Sequence, residues 1–328
     1  MISDYVSFVI PCYRSEHTVC DVVDELLNKI HKLNIKKYEL ILVNDSSPDN
    51  VWTTIKGLCS QNERIKGISL ARNFGQHAAL LAGYSFVEGD IVVSLDDDGQ
   101  APIDELDLLL NKLDEGYDAV YAYYDEIKQT EFRKFGTWMA SKMGQIMIGF
   151  PKDFKGSSFY VVRRFVVDEM IKYNNPYPYL GGLVFRTTHN IACVKTHQRK
   201  RIYGTSGYSF KSLLKLWLNG FTAFSVKPIR WGAIIGILLS LIGFLCAIFL
   251  IIRKIINPAI VMGWTSIISV ILIVGGLLMI MLGLVGEYVG RIYISINNSP
   301  QYVVRETINT SRKPREFMEP IPSSGAGK

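Results

Sequence analysis

The chain has 328 residues, 48% of them hydrophobic, and 36 Lys and Arg against 30 Asp and Glu give a net charge of +6. That length suggests one large or two ordinary domains, and the modest charge suits an anionic membrane surface and argues against a nucleic-acid partner. Five cysteines without a C-x-x-C pair and five scattered histidines exclude a disulfide framework and a zinc spacing, so the cysteines read as reduced structural thiols.

Val6 to Ile10 reads as a first strand ending at Pro11-Cys12-Tyr13, followed by a helix with Val23, Leu26, Leu27, Ile30 and Leu33 on one face. Glu39 to Val43 is a second strand, ending at Asn44-Asp45-Ser46-Ser47-Pro48-Asp49, and a helix runs from Asp49 to Cys59. Ile65 to Leu70 is a third strand; Arg72-Asn73-Phe74-Gly75 then leads into a helix over Gln76 to Phe86. Ile91 to Leu95 is a fourth, and Ala119 to Ala122 another. This alternation predicts a mostly parallel sheet with helices on both faces.

The fourth strand drives straight into Asp96-Asp97-Asp98-Gly99-Gln100-Ala101-Pro102. Carboxylates there stand at the carboxyl edge of the sheet, where open α/β folds bind ligands. Three adjacent carboxylates repel one another unless a cation sits between them. Oxygen ligands suit Mg2+ or Mn2+, which usually complete their shell with substrate phosphates. A solvated acidic loop capping the helix that starts near Pro102 is the alternative. A nucleotide lying along this edge would meet Pro11 and Tyr13, then Asp45, Arg72, Asp96 and Asp98. Each has another reading: a helix cap for Asp45, packing for Tyr13, a surface charge for Arg72. No G-x-G-x-x-G and no P-loop pattern occurs, which argues against dinucleotide and P-loop enzymes.

The second half is of a different kind. Trp231 to Ile252 carries no charge over about 22 positions and Ile260 to Gly286 none over about 27, each enough to cross a bilayer. A short turn with Arg253, Lys254, Asn257 and Pro258 joins them. Lys211, Lys215, Lys227 and Arg230 precede the pair and Arg291, Arg305, Arg312, Lys313 and Arg315 follow it, which places both flanks in the cytoplasm. Met1-Ile2-Ser3-Asp4 is no signal peptide, so the N-terminal half is expected to stay cytosolic. Phe210, Leu213, Leu214, Trp217, Phe221 and Phe224 recur at helical spacing with Lys211 and Lys215 off the stripe, as in an interfacial amphipathic helix. Gly236, Ser240, Gly243, Gly275, Gly276, Gly283 and Gly286 would allow close packing and a homo-oligomer, a tetramer being one arrangement. Residues beyond Thr307, rich in Pro, Ser and charge, read as disordered.

Four stretches carry a family resemblance: Val9-Ile10-Pro11-Cys12-Tyr13, Val43 to Asp49, Ser69 to Gly75 and Leu95 to Pro102. Gly156-Ser157-Ser158-Phe159 with Arg163-Arg164, and Arg201 to Tyr208, add to it. In these the chain resembles glycosyltransferase family 2 with the GT-A nucleotide-sugar fold and, with the paired spans, the polyprenyl-phosphate glycosyltransferases such as bactoprenol glucosyltransferases and dolichol-phosphate mannose synthases. The resemblance implies a transferase domain over residues 1–208, an amphipathic juxtamembrane helix over 209–229, a two-helix transmembrane hairpin over 230–290 and a cytosolic tail over 291–328.

It also implies roles. Pro11, Tyr13 and Asp45 hold the nucleobase and ribose; Asp96 and Asp98 form the D-x-D pair on metal and diphosphate, with Gln100 a further ligand; Arg133 and Arg201 receive phosphate, and Ser206 lies in a substrate-contacting stretch. Asp153 either acts as a base or positions a substrate. The chain departs from its relatives at Arg14-Ser15-Glu16 for Asn-Glu, at Ser158 for Asp and at Gly207 for Lys. The expected activity is inverting transfer from a nucleotide sugar, UDP-glucose or UDP-N-acetylglucosamine, to undecaprenyl phosphate at the inner or plasma membrane. Two alternatives differ in class: a processive polysaccharide synthase, disfavoured because Gln198-Arg199-Lys200-Arg201 is followed by Ile202 and not Trp, and a non-catalytic scaffold, disfavoured by the intact Asp96, Asp98 and Gln100.

Overall fold

The structure is a computed structural model. It describes residues 5–124, 142, 144–145, 150–151, 154, 156–173, 178–197, 199, scattered positions between 232 and 256, 263–297 and 300–310. Two compact units are present, residues 1–213 with 300–328, and residues 214–299.

The first unit follows the expected alternation: β1 (Val6–Cys12), α1 (Val19–Lys32), β2 (Tyr38–Asn44), α2 (Val51–Gln61), β3 (Ile65–Leu70), α3 (Gln76–Tyr84), β4 (Ile91–Ser94), α4 (Leu106–Asp114) and β5 (Ala119–Tyr124). Then come β6 (Tyr160–Arg163), α5 (Arg164–Met170), α6 (Leu180–Thr187), β7 (Ile191–Thr196) and, after the second unit, β8 (Val304–Ile308). The strands form one sheet in the order β7-β5-β6-β4-β1-β2-β3-β8. It is mixed: β6 runs against both β4 and β5, and β8 against β3. The remaining pairs are parallel, as the alternation implied.

The core forms because β1, β2 and β4 are apolar on both faces. On one face Phe8, Ile10, Leu40, Leu42 and Val93 pack with Val22, Val23, Leu26 and Ile30 of α1, Ile55 of α2 and Leu106, Leu109, Leu110 and Leu113 of α4. Each such fully buried side chain contributes about 1.5–3 kcal/mol. On the other face α3 lies close to β1 and β2. A Cβ on Gly83 would stand 3.0 Å from Val43 Cγ2 and closer still to Val9 Cγ1, so the helix backbone needs glycine there. Because α3 carries the chain back over β2 and β1, β4 pairs with β1 on the side away from β2. The strand order therefore reverses between β1 and β4, the place where open α/β sheets leave a ligand crevice.

β8 was not anticipated from sequence. It closes the β3 edge, with Glu306 accepting from Trp52 Nε1 at 3.0 Å and pairing with Lys56 at 2.6 Å. Asn309, at φ 55°, donates to the carbonyls of Cys59 and Ile65 at 2.7 and 2.9 Å. In the second unit, α7 (Trp264–Ile296) has 33 residues, about 50 Å at 1.5 Å per residue. Its stretch Ile273–Ile294 has a mean hydropathy of 1.9 and is the one helix among the described residues long and apolar enough to cross a membrane. The first expected span, Trp231 to Ile252, is described at 12 of its positions, each of them helical, while the expected amphipathic helix falls outside the described residues.

Candidate active site

The carboxyl ends of β1, β2 and β3 lie in register, Cys12 beside Asn44 and Asn44 beside Ser69, and β4 ends at Ser94 beside Val9, so the loops that follow the four strands leave toward one edge. Those loops carry Tyr13, Asp45, Arg72 and Asp96 to Asp98. Tyr13 is 42% exposed, with the Arg14 guanidinium 5.5 Å from its ring centre. Arg72 is exposed, its guanidinium 4.6 Å from the Phe74 ring. Pro11 lies inside β1 opposite Val43 and is buried, so the edge proper begins at Tyr13.

Asp45 is only 3% exposed and accepts from the Phe74 and Gly75 N–H groups, both at 2.8 Å. Burial pushes its pKa up, and these two N–H bonds work against that. The carboxylate thereby fixes the Arg72–Gly75 loop and the start of α3, which Gly75 enters at φ +91°. Further ties hold the first two loops together: Glu16 N–H donates to Asp49, Asn50 N–H to Glu16 and Arg14 N–H to Ser47.

The three consecutive aspartates have three different surroundings. Asp97 turns into the β1–β4 junction, where it accepts from Tyr13 N–H at 3.0 Å. Burial drives its pKa up to about 6, the Ser15 and Tyr13 hydrogen bonds oppose this, and the charges of Asp96 and Asp98 add to it. Asp96 accepts from Gln76 Nε2 at 2.5 Å on Oδ1 and from the Ser158 hydroxyl on Oδ2. Asp98 accepts from the Gln100 N–H at 3.0 Å across a turn in which Gly99 has φ 72°. Among the described residues no group of three His, Cys, Asp or Glu is gathered as a metal cage. Asp96 and Asp98 with the Gln100 side chain nonetheless suit a cation such as Mg2+ that takes one or two carboxylates and fills its shell with phosphate. The upward push of Asp96 and Asp98 on Asp97 marks a local excess of negative charge that such an ion would relieve.

Beneath Asp96 runs a buried hydroxyl chain. Ser94 Oγ and Tyr84 OH are 2.5 Å apart, and Tyr84 OH and Tyr160 OH 2.6 Å. It pins α3 and β6 to the end of β4. Beside Gln76, His77 meets Tyr179 edge-on at 5.6 Å, and burial pulls its pKa down to about 4, so it is neutral at pH 7. Gln76 carries no signal in the sequence beyond its place directly after Gly75, and Ser158 stands there in a family-like stretch where the relatives have Asp. Asp153, Arg133, Arg201 and Ser206 lie outside the described residues.

A family model described as "Glycosyl transferase family 2" matches residues 7–171, the span that contains all of these loops. The chain belongs to glycosyl transferase family 2. As a glycosyltransferase it is 31% identical over 310 residues to the "Uncharacterized glycosyltransferase YkcC" of Bacillus subtilis, covering 94% of this chain and 95% of that protein. Solved structures of the same fold include glucosyl-3-phosphoglycerate synthase from Mycobacterium tuberculosis with Mn2+ and UDP-glucose. Its TM-score is 0.51 at 20% identity, covering 67% of this chain and 77% of that one. The same synthase with Mn2+, UDP and glucosyl-3-phosphoglycerate gives a TM-score of 0.51 at 17% identity, over 68% and 80%.

Proposed function

We propose that this glycosyltransferase moves a sugar from a nucleoside diphosphate donor, UDP-glucose or UDP-N-acetylglucosamine, to a polyprenyl phosphate such as undecaprenyl phosphate, yielding a lipid-linked sugar for cell-envelope glycans. The observation that carries this reading is the meeting of Tyr13, Asp45, Arg72 and Asp96 to Asp98 at the edge where the strand order reverses. Tyr13 and the Asp45-anchored loop offer a face to the nucleoside, and Asp96 and Asp98 face its diphosphate. Mg2+ or Mn2+ held by Asp96, Asp98 and Gln100 would neutralise charge developing on the departing diphosphate. The synthase of like fold is seen with Mn2+ and UDP-glucose, in line with a UDP donor.

In the transfer an acceptor phosphate oxygen attacks the anomeric carbon, the bond from that carbon to the diphosphate oxygen breaks, and the nucleoside diphosphate leaves with the electron pair. Attack from the opposite face inverts the configuration. A phosphate monoester has a second pKa of about 6, so no strong base is needed to ionise the acceptor. Arg133 and Arg201 are assigned to hold that phosphate, a source of effective molarity. Ser206 is assigned to substrate contact and Asp153 to positioning or base catalysis.

The membrane assignment draws support from composition: Ile273–Ile294 is long and apolar enough to cross a bilayer, and the uncharged run Trp231 to Ile252 precedes it. With the Lys and Arg residues on the outer flanks this supports a multi-pass protein whose transferase unit is cytosolic and works at the lipid surface. Other copies of the chain are proposed as partners. The test is a transfer assay on the full chain in detergent with Mn2+, undecaprenyl phosphate and labelled UDP- and GDP-sugars. Organic-extractable, EDTA-sensitive label from one donor supports the reading; none from any donor, with the protein folded, overturns the lipid acceptor.

A further inference from the structure

We propose that Gln76 and Ser158 are positioning residues that clamp Asp96 from two sides and thereby set the affinity of the site for nucleoside diphosphate and metal. The proposal rests on the donor-site reading above. Gln76 Nε2 lies 2.5 Å from Asp96 Oδ1, and the Ser158 hydroxyl donates to Oδ2. The two partners come from different elements, Gln76 from the first turn of α3 and Ser158 from the segment entering β6. Both elements are pinned to β4 by the Ser94–Tyr84–Tyr160 hydroxyl chain just below.

A carboxylate on a surface turn otherwise samples several rotamers, and each hydrogen bond removes part of that freedom. Both donors here are neutral. They orient Asp96 without cancelling its charge, which a Lys or Arg in either place would do. Gln76 is itself placed by Asp45, whose carboxylate holds the N–H groups of Phe74 and Gly75 immediately before it. A continuous chain of hydrogen bonds and backbone therefore links the nucleoside side of the edge, at Asp45, to its diphosphate side, at Asp96. Asp97 turns instead to Tyr13 N–H, and Asp98 accepts from the Gln100 N–H within its own turn.

Groups that orient metal ligands from behind typically cost 10–100-fold in metal affinity or activity when removed. The experiment measures UDP binding in the presence of Mn2+ by calorimetry on the full chain in detergent. Wild type is compared with Gln76→Ala, Gln76→Lys, Ser158→Ala, Ser158→Thr and Asp98→Asn, with melting temperature as the folding control and donor KM and kcat beside it. Gln76→Ala and Ser158→Ala are each expected to weaken Mn2+-dependent UDP binding about 10-fold and to raise KM more than they lower kcat. Ser158→Thr, which keeps the hydroxyl, stays near wild type, and Gln76→Lys loses more than Gln76→Ala because its ammonium competes with the cation. Wild-type binding in both alanine variants, with binding lost in Asp98→Asn, overturns the clamp alone. Undiminished binding in Asp98→Asn overturns the donor-site reading and the clamp with it.

Discussion

Replacing Lys66 with Met removes the cation that bridges Glu39 and Glu88 at the amino-terminal edge of the sheet, opposite the active site. Glu39 is 1% exposed and Lys66 8%, with Lys66 Nζ 2.6 Å from Glu39 Oε2 and 2.9 Å from Glu88 Oε1. Glu39 Oε1 also accepts from the Ser7 hydroxyl at 2.5 Å and Glu88 N–H at 2.6 Å. Burial pulls the Lys66 ammonium down in pKa, but the hydrogen bonds and charges of Glu39 and Glu88 outweigh it and leave it raised. Wild type thus has the full benefit of the pair at pH 7, below the unfolded lysine value, and loses it only in strongly alkaline solution.

Removing one partner of a buried pair costs about 3–5 kcal/mol, and we take about 3 because Glu88 is 43% exposed and already solvated. For a unit of this size that is a fall of about 6–12 °C in melting temperature. The sign with pH follows from Lys66: the benefit of its pair is present at pH 7 and fades in strongly alkaline solution, so the deficit of the variant shrinks there. Differential scanning fluorimetry of the full chain at pH 7 and at about pH 11, above the ordinary lysine value, measures both effects. Glu39→Gln in the Lys66→Met background, which removes the stranded charge and keeps the hydrogen bonds, should recover half or more of the loss. A Lys66→Met melting temperature within about 2 °C of wild type at pH 7, or an equal deficit at both pH values, would refute the reasoning.

Gly83→Ala pushes α3 off β1 and β2, because the new methyl meets Val9 and Val43. Overpacking of about 1–3 kcal/mol, less about 1 kcal/mol gained in helix propensity, predicts a modest drop in melting temperature. Transfer should fall further than stability since Gln76 moves with the helix; unchanged melting and turnover would show that the sheet yields. Arg201→Ala is expected to raise KM for the lipid phosphate about 10-fold or more with little change in donor KM; equal effects on both would remove its acceptor role. Ending the chain at Ser299 strips β8 from β3 and leaves an unpaired edge, so aggregation and a lower melting temperature should follow, read by light scattering and fluorimetry. A truncated chain as soluble and stable as the parent would show that β8 is dispensable.

The parts of the fold legible in sequence are those where apolar runs stop at turn residues. β1 to β4 are such runs, buried on both faces, and soon after their ends come Tyr13, Asp45, Arg72 and Asp96 at the same edge. β6 was illegible because it is only four residues long, ends in the charged Arg163 and runs antiparallel between β4 and β5. β8 reads Val-Arg-Glu-Thr-Ile, polar and exposed at its centre like any edge strand, and it follows an apolar helix that draws attention away from it. At the site, the residue types of Asp96 to Asp98 announced a charged edge, but not that Asp97 faces inward. That depends on Tyr13 N–H, which is 84 residues away in sequence. The contact of Gln76 with Asp96 likewise exists only because α3 crosses two strands before β4 begins.

The most direct test of the central claim, that sugar transfer takes place at this carboxyl edge, is the rate of lipid-linked product formation by Asp98→Asn beside wild type, at matched melting temperature and saturating Mn2+. Loss of a charged group facing the leaving diphosphate predicts a fall in turnover of about 1,000-fold, some 4 kcal/mol, with the fold intact. Turnover near wild type would contradict the claim and move the chemistry to another part of the molecule.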